Sequence, residues 1–308
     1  MVRRSRDFVA GRVRVSPGLK GKVLAVEEGM DSLKHSLGRR LPPVIRPRPY
    51  KVMVAITAQC NARCIGCRYG RDFMPGEQLD LDMALQLFDD AHETGYRSIR
   101  LYGGEPLVHP DLPAMVAHCA DIGLQPYVTT NAVLLANKAD ELVDAGLRDM
   151  SVGFYGVGTE YDRYVQIPGL FAKVEAGLDY LAEHHGSAVD LQLNWLLMRP
   201  RLGLESWRAA LAFAQARGFG MRVDLVHYSL PYFQEGQDRQ IQFTREDRPG
   251  IEKVAAEILA AKRAEPERIH HTVEGIRSIP DWLIKGPDMR VPCTAYDMIW
   301  VGADGTVQ

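Results

Sequence analysis

From residue 51 onward, short β-rich apolar runs alternate with longer amphipathic stretches, and this alternation constrains the fold more than any other feature. KVMVAIT (51–57), SIRLYG (98–103), QPYVTT (125–130), DMSVGFYG (149–156), AVDLQLNWLLM (188–198) and GMRVDLVHYSL (220–230) read as strands. Residues 81–95, 111–120, 134–146, 169–186, 205–218 and 247–264 carry helical spacing, several ending at a glycine suited to a helix stop. Strands separated by helices lie parallel and are joined by right-handed crossovers. Six such units fall short of the eight that close a barrel. The expected fold class is therefore α/β, a partial (β/α)6 barrel over residues 50–265. A basic leader (1–49) precedes it, and an appendage (266–308) follows. In such folds chemistry gathers at the carboxyl ends of the strands.

Composition removes several classes. Hydrophobic residues are 46% and charged residues 25%, values of a packed globular chain rather than a disordered, collagenous or coiled-coil one. No apolar stretch reaches the roughly 18 residues of a membrane span. The first residues lack the apolar run of a secretory signal, so a cytoplasmic location is the default. The net charge of −2 hides an asymmetry, because residues 1–51 carry about +9. With few aromatics and no nucleic-acid motif, this leader reads as a solvated segment, and nucleic acid is not an expected partner. Pro42, Pro43, Pro47 and Pro49 make its end an extended linker.

The five cysteines are too few and too unevenly placed for a disulfide framework. Cys60, Cys64 and Cys67 fall in the loop after the first strand with spacing C-x3-C-x2-C. Thiolates this close can converge on one metal centre, and they favour zinc or iron–sulfur clusters. A structural zinc site needs four ligands, and no second C-x-x-C or histidine pair supplies the fourth. Three ligands on a four-iron cluster leave one iron open to a small molecule. Zinc and unliganded buried thiols remain the alternatives. Cys119, on an apolar helix face, reads as core.

This loop resembles that of the radical S-adenosylmethionine (SAM) enzymes, and three further strand ends agree. YGGEPLVHPDL (102–112) looks like the family's GGEP motif. TTNAVLL (129–135) is similar to its TNG segment, with Ala132 for the usual glycine. VGFYG followed by EYDRYVQIPGLFAKV (160–174) resembles its fourth strand end and the arginine-bearing turn after it. The resemblance covers about residues 50–230.

The resemblance implies that Cys60, Cys64 and Cys67 hold a [4Fe-4S] cluster whose open iron is chelated by SAM. Reductive cleavage of SAM would then give a 5′-deoxyadenosyl radical that takes hydrogen from a substrate. A low-potential donor of flavodoxin or ferredoxin type would supply the electron. Tyr102, Gly103 and Gly104 would border the SAM methionyl group, the glycines allowing close backbone approach. Glu105 would meet its ammonium, Thr130 and Asn131 its ribose or carboxylate, Arg163 its carboxylate, and Asn194 its ribose hydroxyls. The family usually places an aromatic just before the third cysteine. Gly66 stands there instead, and Tyr69 is the nearest replacement. Gly153 and Tyr155 replace the usual serine and aspartate of the fourth strand, with Ser151 on the same face as a substitute.

The tail VPCTAYDMIWVGADGTVQ reads as a hairpin turning at Asp304–Gly305. It resembles the start of the SPASM or twitch extension of radical SAM enzymes, with Cys293 as a first ligand. A chain continuing beyond Gln308 could hold an auxiliary [4Fe-4S] cluster, and truncation is the expectation here. His227 and Tyr228, after the sixth strand, would face the substrate as proton or radical relays. The substrate is expected to be a small molecule or glycan precursor. The alternatives are a ribosomal peptide, as in SPASM-type maturases, or a non-catalytic iron–sulfur or zinc protein.

Overall fold

The computed structural model describes residues 51–226 apart from Gly70 and Asp72, residues 241–289 and 297–307, and scattered positions between 26 and 50. All six expected strands are present: β1 (Lys51–Thr57), β2 (Ser98–Gly103), β3 (Gln125–Thr130), β4 (Asp149–Phe154), β5 (Asp190–Leu197) and β6 (Gly220–Leu225). A seventh, β7 (Met298–Val301), joins them in one sheet of order β6-β5-β4-β3-β2-β1-β7, and every neighbouring pair is parallel. This is the partial barrel expected from the alternation, with one addition. The first strand of the tail hairpin is also a strand of the main sheet, in register with β1 from Lys51↔Met298 to Val54↔Val301. Val301 pairs antiparallel with Val307 across the turn, so the hairpin is there too.

Two electrostatic neighbours show that the sheet curls. Arg222 of β6 acts on Lys51 of β1 and on Arg100 of β2, five and four strands away. On a flat sheet those positions would be about 20 Å apart or more, at roughly 4.8 Å per strand. The strands' alternating side chains therefore divide into a convex and a concave face. Val52, Val54, Ile56, Ile99, Leu101, Val128, Met150, Val152, Leu191, Leu193, Trp195 and Met221 point outward into one apolar core. That core is completed by helices α1 (Leu81–Glu93), α2 (Leu112–Asp121), α3 (Leu135–Asp144), α4 (Thr159–Val165), α5 (Leu170–His185), α6 (Leu204–Arg217), α7 (Arg248–Ala264) and α8 (Val273–Lys285). The alternate residues line the concave face and are largely polar. Burial of the outer set, worth about 25 cal/mol per Å² of apolar surface, fixes which residues face inward.

Two helices were not expected. The short α4 fills the stretch read as a turn after the fourth strand. Helix α8 contains Pro280, which ordinarily argues against a helix interior. Thr272 caps its start by accepting from Gly275 N at 2.8 Å, and Ile276, Ile279, Pro280 and Leu283 are buried. Among the described residues no helix is long and apolar enough to cross a membrane.

Candidate cofactor-binding site

The cysteine loop leaves the carboxyl end of β1 and is pinned by its neighbours on both sides. On one side, Gly104 N donates to Thr57 O and Glu105 N to Gln59 O, each at 2.8 Å. A Cβ on Gly103 would stand 2.3 Å from Thr57 O, and one on Gly104 2.2 Å from Gln59 O. The two glycines therefore admit the loop's own backbone. On the other side, Arg63 N donates to Val165 O (3.1 Å) and Ile65 N to Tyr164 O (2.9 Å), zipping the loop onto the end of α4. Gly66, immediately before the third cysteine, has φ 78°, a conformation that favours glycine over the family's usual aromatic.

Glu105 is engaged within the protein. It is fully buried, and its carboxylate accepts from Thr130 Oγ1 (2.5 Å), Asn131 N (2.6 Å) and Leu107 N (3.0 Å). It staples the end of β2 to the end of β3 rather than standing open for an ammonium group. Burial raises its pKa to about 7 against the pull of those three bonds. Thr130 Oγ1 also accepts from Ala132 N at 2.9 Å. Ala132 sits at φ 63°, which accounts for glycine as the usual residue there. Asn131 reaches back to the loop, its Nδ2 donating to Asn61 Oδ1 (2.6 Å) and lying 3.9 Å from Cys60 Sγ. Tyr161, of α4, closes the set by donating to Asn131 O at 3.3 Å.

Burial pushes the Cys60 thiol up to about 12, with Glu105 and Cys67 adding to the effect, while the Ala62 N–H (3.4 Å) favours the thiolate. Cys64 is raised well above the ordinary range by burial, then by Cys67 and Cys60. The three thiols thus feel one another. They are not gathered into a finished metal-binding trio, and among the described residues no three His, Cys, Asp or Glu side chains are so grouped. Tyr155 and Tyr161 stand beside them: burial, then Cys64, holds both phenols protonated. Tyr155 folds back over Gly153, where a Cβ would lie 2.6 Å from its hydroxyl, and packs on Tyr164 with ring centroids 4.3 Å apart. These tyrosines were missed as site residues, and their signal was the YG-x3-EY pattern after β4.

The remaining expected residues are placed as follows. Tyr69 is buried against Phe73 (5.1 Å) and Tyr102 (6.4 Å), and Ala55, Ala58 and Ala303 complete that cluster. Its ring is engaged in packing on the barrel rim. Tyr102 faces inward and meets Trp300 at 5.8 Å. Ser151 is fully buried on the concave face, 3.1 Å from Thr129 Oγ1. Arg163 is exposed on α4 and forms no ion pair among the described residues. Asn194 is buried on the concave face in register with Gly153 and Arg222, and its Oδ1 has no partner. Cys119 is core, as expected. His227, Tyr228 and Cys293 lie outside the described residues.

Residues 54–195 match the model of the Radical SAM superfamily. Over those residues the chain is similar to that superfamily. Members of that superfamily use a [4Fe-4S] cluster and SAM. A probable GTP 3′,8-cyclase of Archaeoglobus fulgidus is 30% identical over 130 residues, 42% of this chain and 44% of that protein. The AdoMet-dependent heme synthase of Methanosarcina barkeri is 32% identical over 136 residues, 43% of this chain and 39% of that protein. The matches thus span less than half the length of these curated relatives. Among solved structures, SuiB of Streptococcus suis bound to S-adenosylmethionine superimposes with a TM-score of 0.62 at 12% identity, covering 91% of this chain and 62% of that one. SuiB has also been solved bound to the precursor peptide SuiA. At this identity the likeness is one of fold.

The donor set fits the family's cofactors. Three mutually coupled thiols on one loop are soft ligands suited to iron, and a cationic centre would offset the burial that keeps them protonated. The unpartnered Oδ1 of buried Asn194 is an acceptor that the protein itself leaves unsatisfied.

Proposed function

We propose that Cys60, Cys64 and Cys67 hold the [4Fe-4S] cluster and that the adjoining strand ends hold SAM for hydrogen abstraction from a small biosynthetic substrate. The observation that carries this reading is the pinning of the cysteine loop by the ends of β2, β3 and α4 together, through Gly104, Asn131 and Val165. When bound, the cofactors supply reductive cleavage of SAM to a 5′-deoxyadenosyl radical. The chain's residues hold and shield them. Glu105 and Thr130 fix the β2 and β3 ends, Asn131 orients the loop beside Cys60, and Tyr155 with Tyr161 excludes water from the side of Cys64. Asn194 takes the ribose hydroxyls through its free amide oxygen, Ser151 and Arg163 serve the methionyl carboxylate, and Tyr69 and Tyr102 wall the rim. His227 and Tyr228 remain proposed substrate-facing residues. A flavodoxin- or ferredoxin-type donor, a cytoplasmic location, and an auxiliary cluster on Cys293 in a longer chain complete the reading.

A small substrate is favoured because the curated relatives are named for GTP and heme chemistry. A peptide substrate is the second reading, supported by the fold shared with a protein solved on its precursor peptide. Anaerobically reconstituted protein given dithionite and SAM releases 5′-deoxyadenosine. A yield no greater than that of Cys64→Ala would sink the reading.

A further inference from the structure

The concave face of the barrel carries three cations that are not locked into ion pairs among the described residues. Lys51 of β1 and Arg100 of β2 are half-buried there, and Arg222 of β6 faces them from the opposite wall. None of the three forms an ion pair with a carboxylate among the described residues. Lys51 lies over the Tyr127 ring at 5.0 Å. Arg100 donates from Nε to Thr129 Oγ1 at 2.7 Å and sits 5.5 Å from the same ring. Its Nη donors have no protein partner among the described residues. Three carboxylates, Asp149, Asp190 and Asp224, share the face by the same alternation, and among the described residues none forms an ion pair with the three cations. Asp149 accepts from Gln125 Nε2 at 2.8 Å and attracts Lys51, and Asp224 attracts Arg100.

Lys51 and Arg100 are costly there when unpaired, because a buried cation loses hydration without a fixed counter-charge, whereas Arg222 is exposed. Lys51 shows that cost: burial, then Arg100 and Arg222, lowers its pKa to about 8. Apolar residues would pack this face more favourably, so folding does not explain the set. Neutral acceptors accompany it. Thr129 and Ser151 hydroxyls run along the wall, and Gln192 Oε1 is buried without a partner in register with Ser151. A guanidinium fork with free donors, a lysine and a second arginine across a polar wall make the recognition surface of an oxyanion.

We infer that the barrel interior below the cofactor site binds the anionic group, a phosphate or a carboxylate, of the substrate through Lys51, Arg100 and Arg222. This rests on the reading above that the barrel is a SAM-dependent active site, and it names the substrate's chemical class. The anion lies toward the amino ends of the strands, so the remainder of the substrate extends up toward the radical source. Gln192 accepts from a hydroxyl or N–H of the same molecule.

The test is a calorimetric titration of the full-length, cluster-loaded protein with inorganic pyrophosphate and separately with succinate, with and without saturating SAM. Saturable binding of either probe supports the proposal, and the tighter one distinguishes a phosphate ester from a carboxylate. Arg222→Gln, at an exposed position that leaves the core intact, is expected to weaken that binding about tenfold or more. Arg100→Lys, which keeps the charge but loses the fork, is expected to fall between Arg222→Gln and the parent. Arg208→Gln, on the outer surface of α6, is expected to bind like the parent. Binding of neither probe, equal binding by Arg222→Gln and the parent, or loss of binding when SAM is present would overturn it. The titration involves no radical chemistry. Failure here leaves the SAM reading standing, and absence of 5′-deoxyadenosine would sink that reading while leaving the titration interpretable.

Discussion

At the scale of residues, the GGEP segment shows how a motif can be visible while its physical work is not. Gly103, Gly104 and Glu105 are recognisable in the sequence, and the resemblance to radical SAM enzymes implies that they border the cofactor. The structure turns all three toward the protein, the glycines under the cysteine loop and the carboxylate between two strand ends. Gly104→Ala should therefore act through the fold. Its Cβ would overlap two backbone oxygens, Gln59 O at 2.2 Å and Ala58 O at 2.6 Å, and neither is free to move alone. We expect a loss of about 3 kcal/mol or more in denaturant unfolding, in the range of a severe packing clash, with iron content falling in parallel. Glu105→Gln keeps the shape but puts an N–H where a carboxylate oxygen accepted from a donor. A loss of about 1–3 kcal/mol is expected, and unchanged stability would mean that the staple carries no strain-bearing role.

The scale of elements holds the clearest misreadings of the sequence. His270 and His271 follow helix α7 and carry no spacing that would point to an edge strand. Yet Met221 N donates to Arg268 O (2.7 Å), His270 N donates to Met221 O (2.9 Å), and His271 Nε2 lies 2.9 Å from Val223 N and 3.0 Å from Val223 O. Residues 268–271 thereby cover the open edge of β6, which would otherwise expose unpaired backbone groups. Burial, then Arg222, depresses the His271 pKa from 6.5 to about 4, with His270 and Lys262 adding to the effect and the bond to Val223 opposing it. The imidazole is neutral in the fold but takes a proton near pH 6.5 in the unfolded chain. Its stabilising contribution is full above about pH 6.5, is lost as pH falls toward about 4, and changes little below that. Thermal melts between pH 7 and pH 4 should show a decline on the order of 3 kcal/mol that His271→Gln lacks. Helix α8 was illegible for a related reason. Pro280 argues locally against a helix, and only packing on α7 and the core outweighs it.

At the scale of the whole molecule, the tail hairpin is structurally part of the barrel. Strand β7 covers the free edge of β1, and Val301 is buried in the main core. Val301→Asp should unfold the sheet edge rather than leave an intact barrel with a loose tail. A loss of about 2–4 kcal/mol is expected, with exposure of β1 read as increased dye binding or aggregation on heating. Retention of full stability would show that the appendage is independent of the barrel.

The sequence alone determined the parallel βα order, the cysteine loop and the strand ends that flank it, because periodicity and spacing are local properties. Only the tertiary structure decided which face each polar residue serves. Curvature brings Lys51, Arg100 and Arg222 toward one another from strands distant in sequence, and it places β7 beside β1. Tertiary packing likewise turned Glu105 inward and His271 onto an edge strand. The physical reason is that burial and electrostatic environment depend on which distant segments meet, and no local pattern encodes those partners.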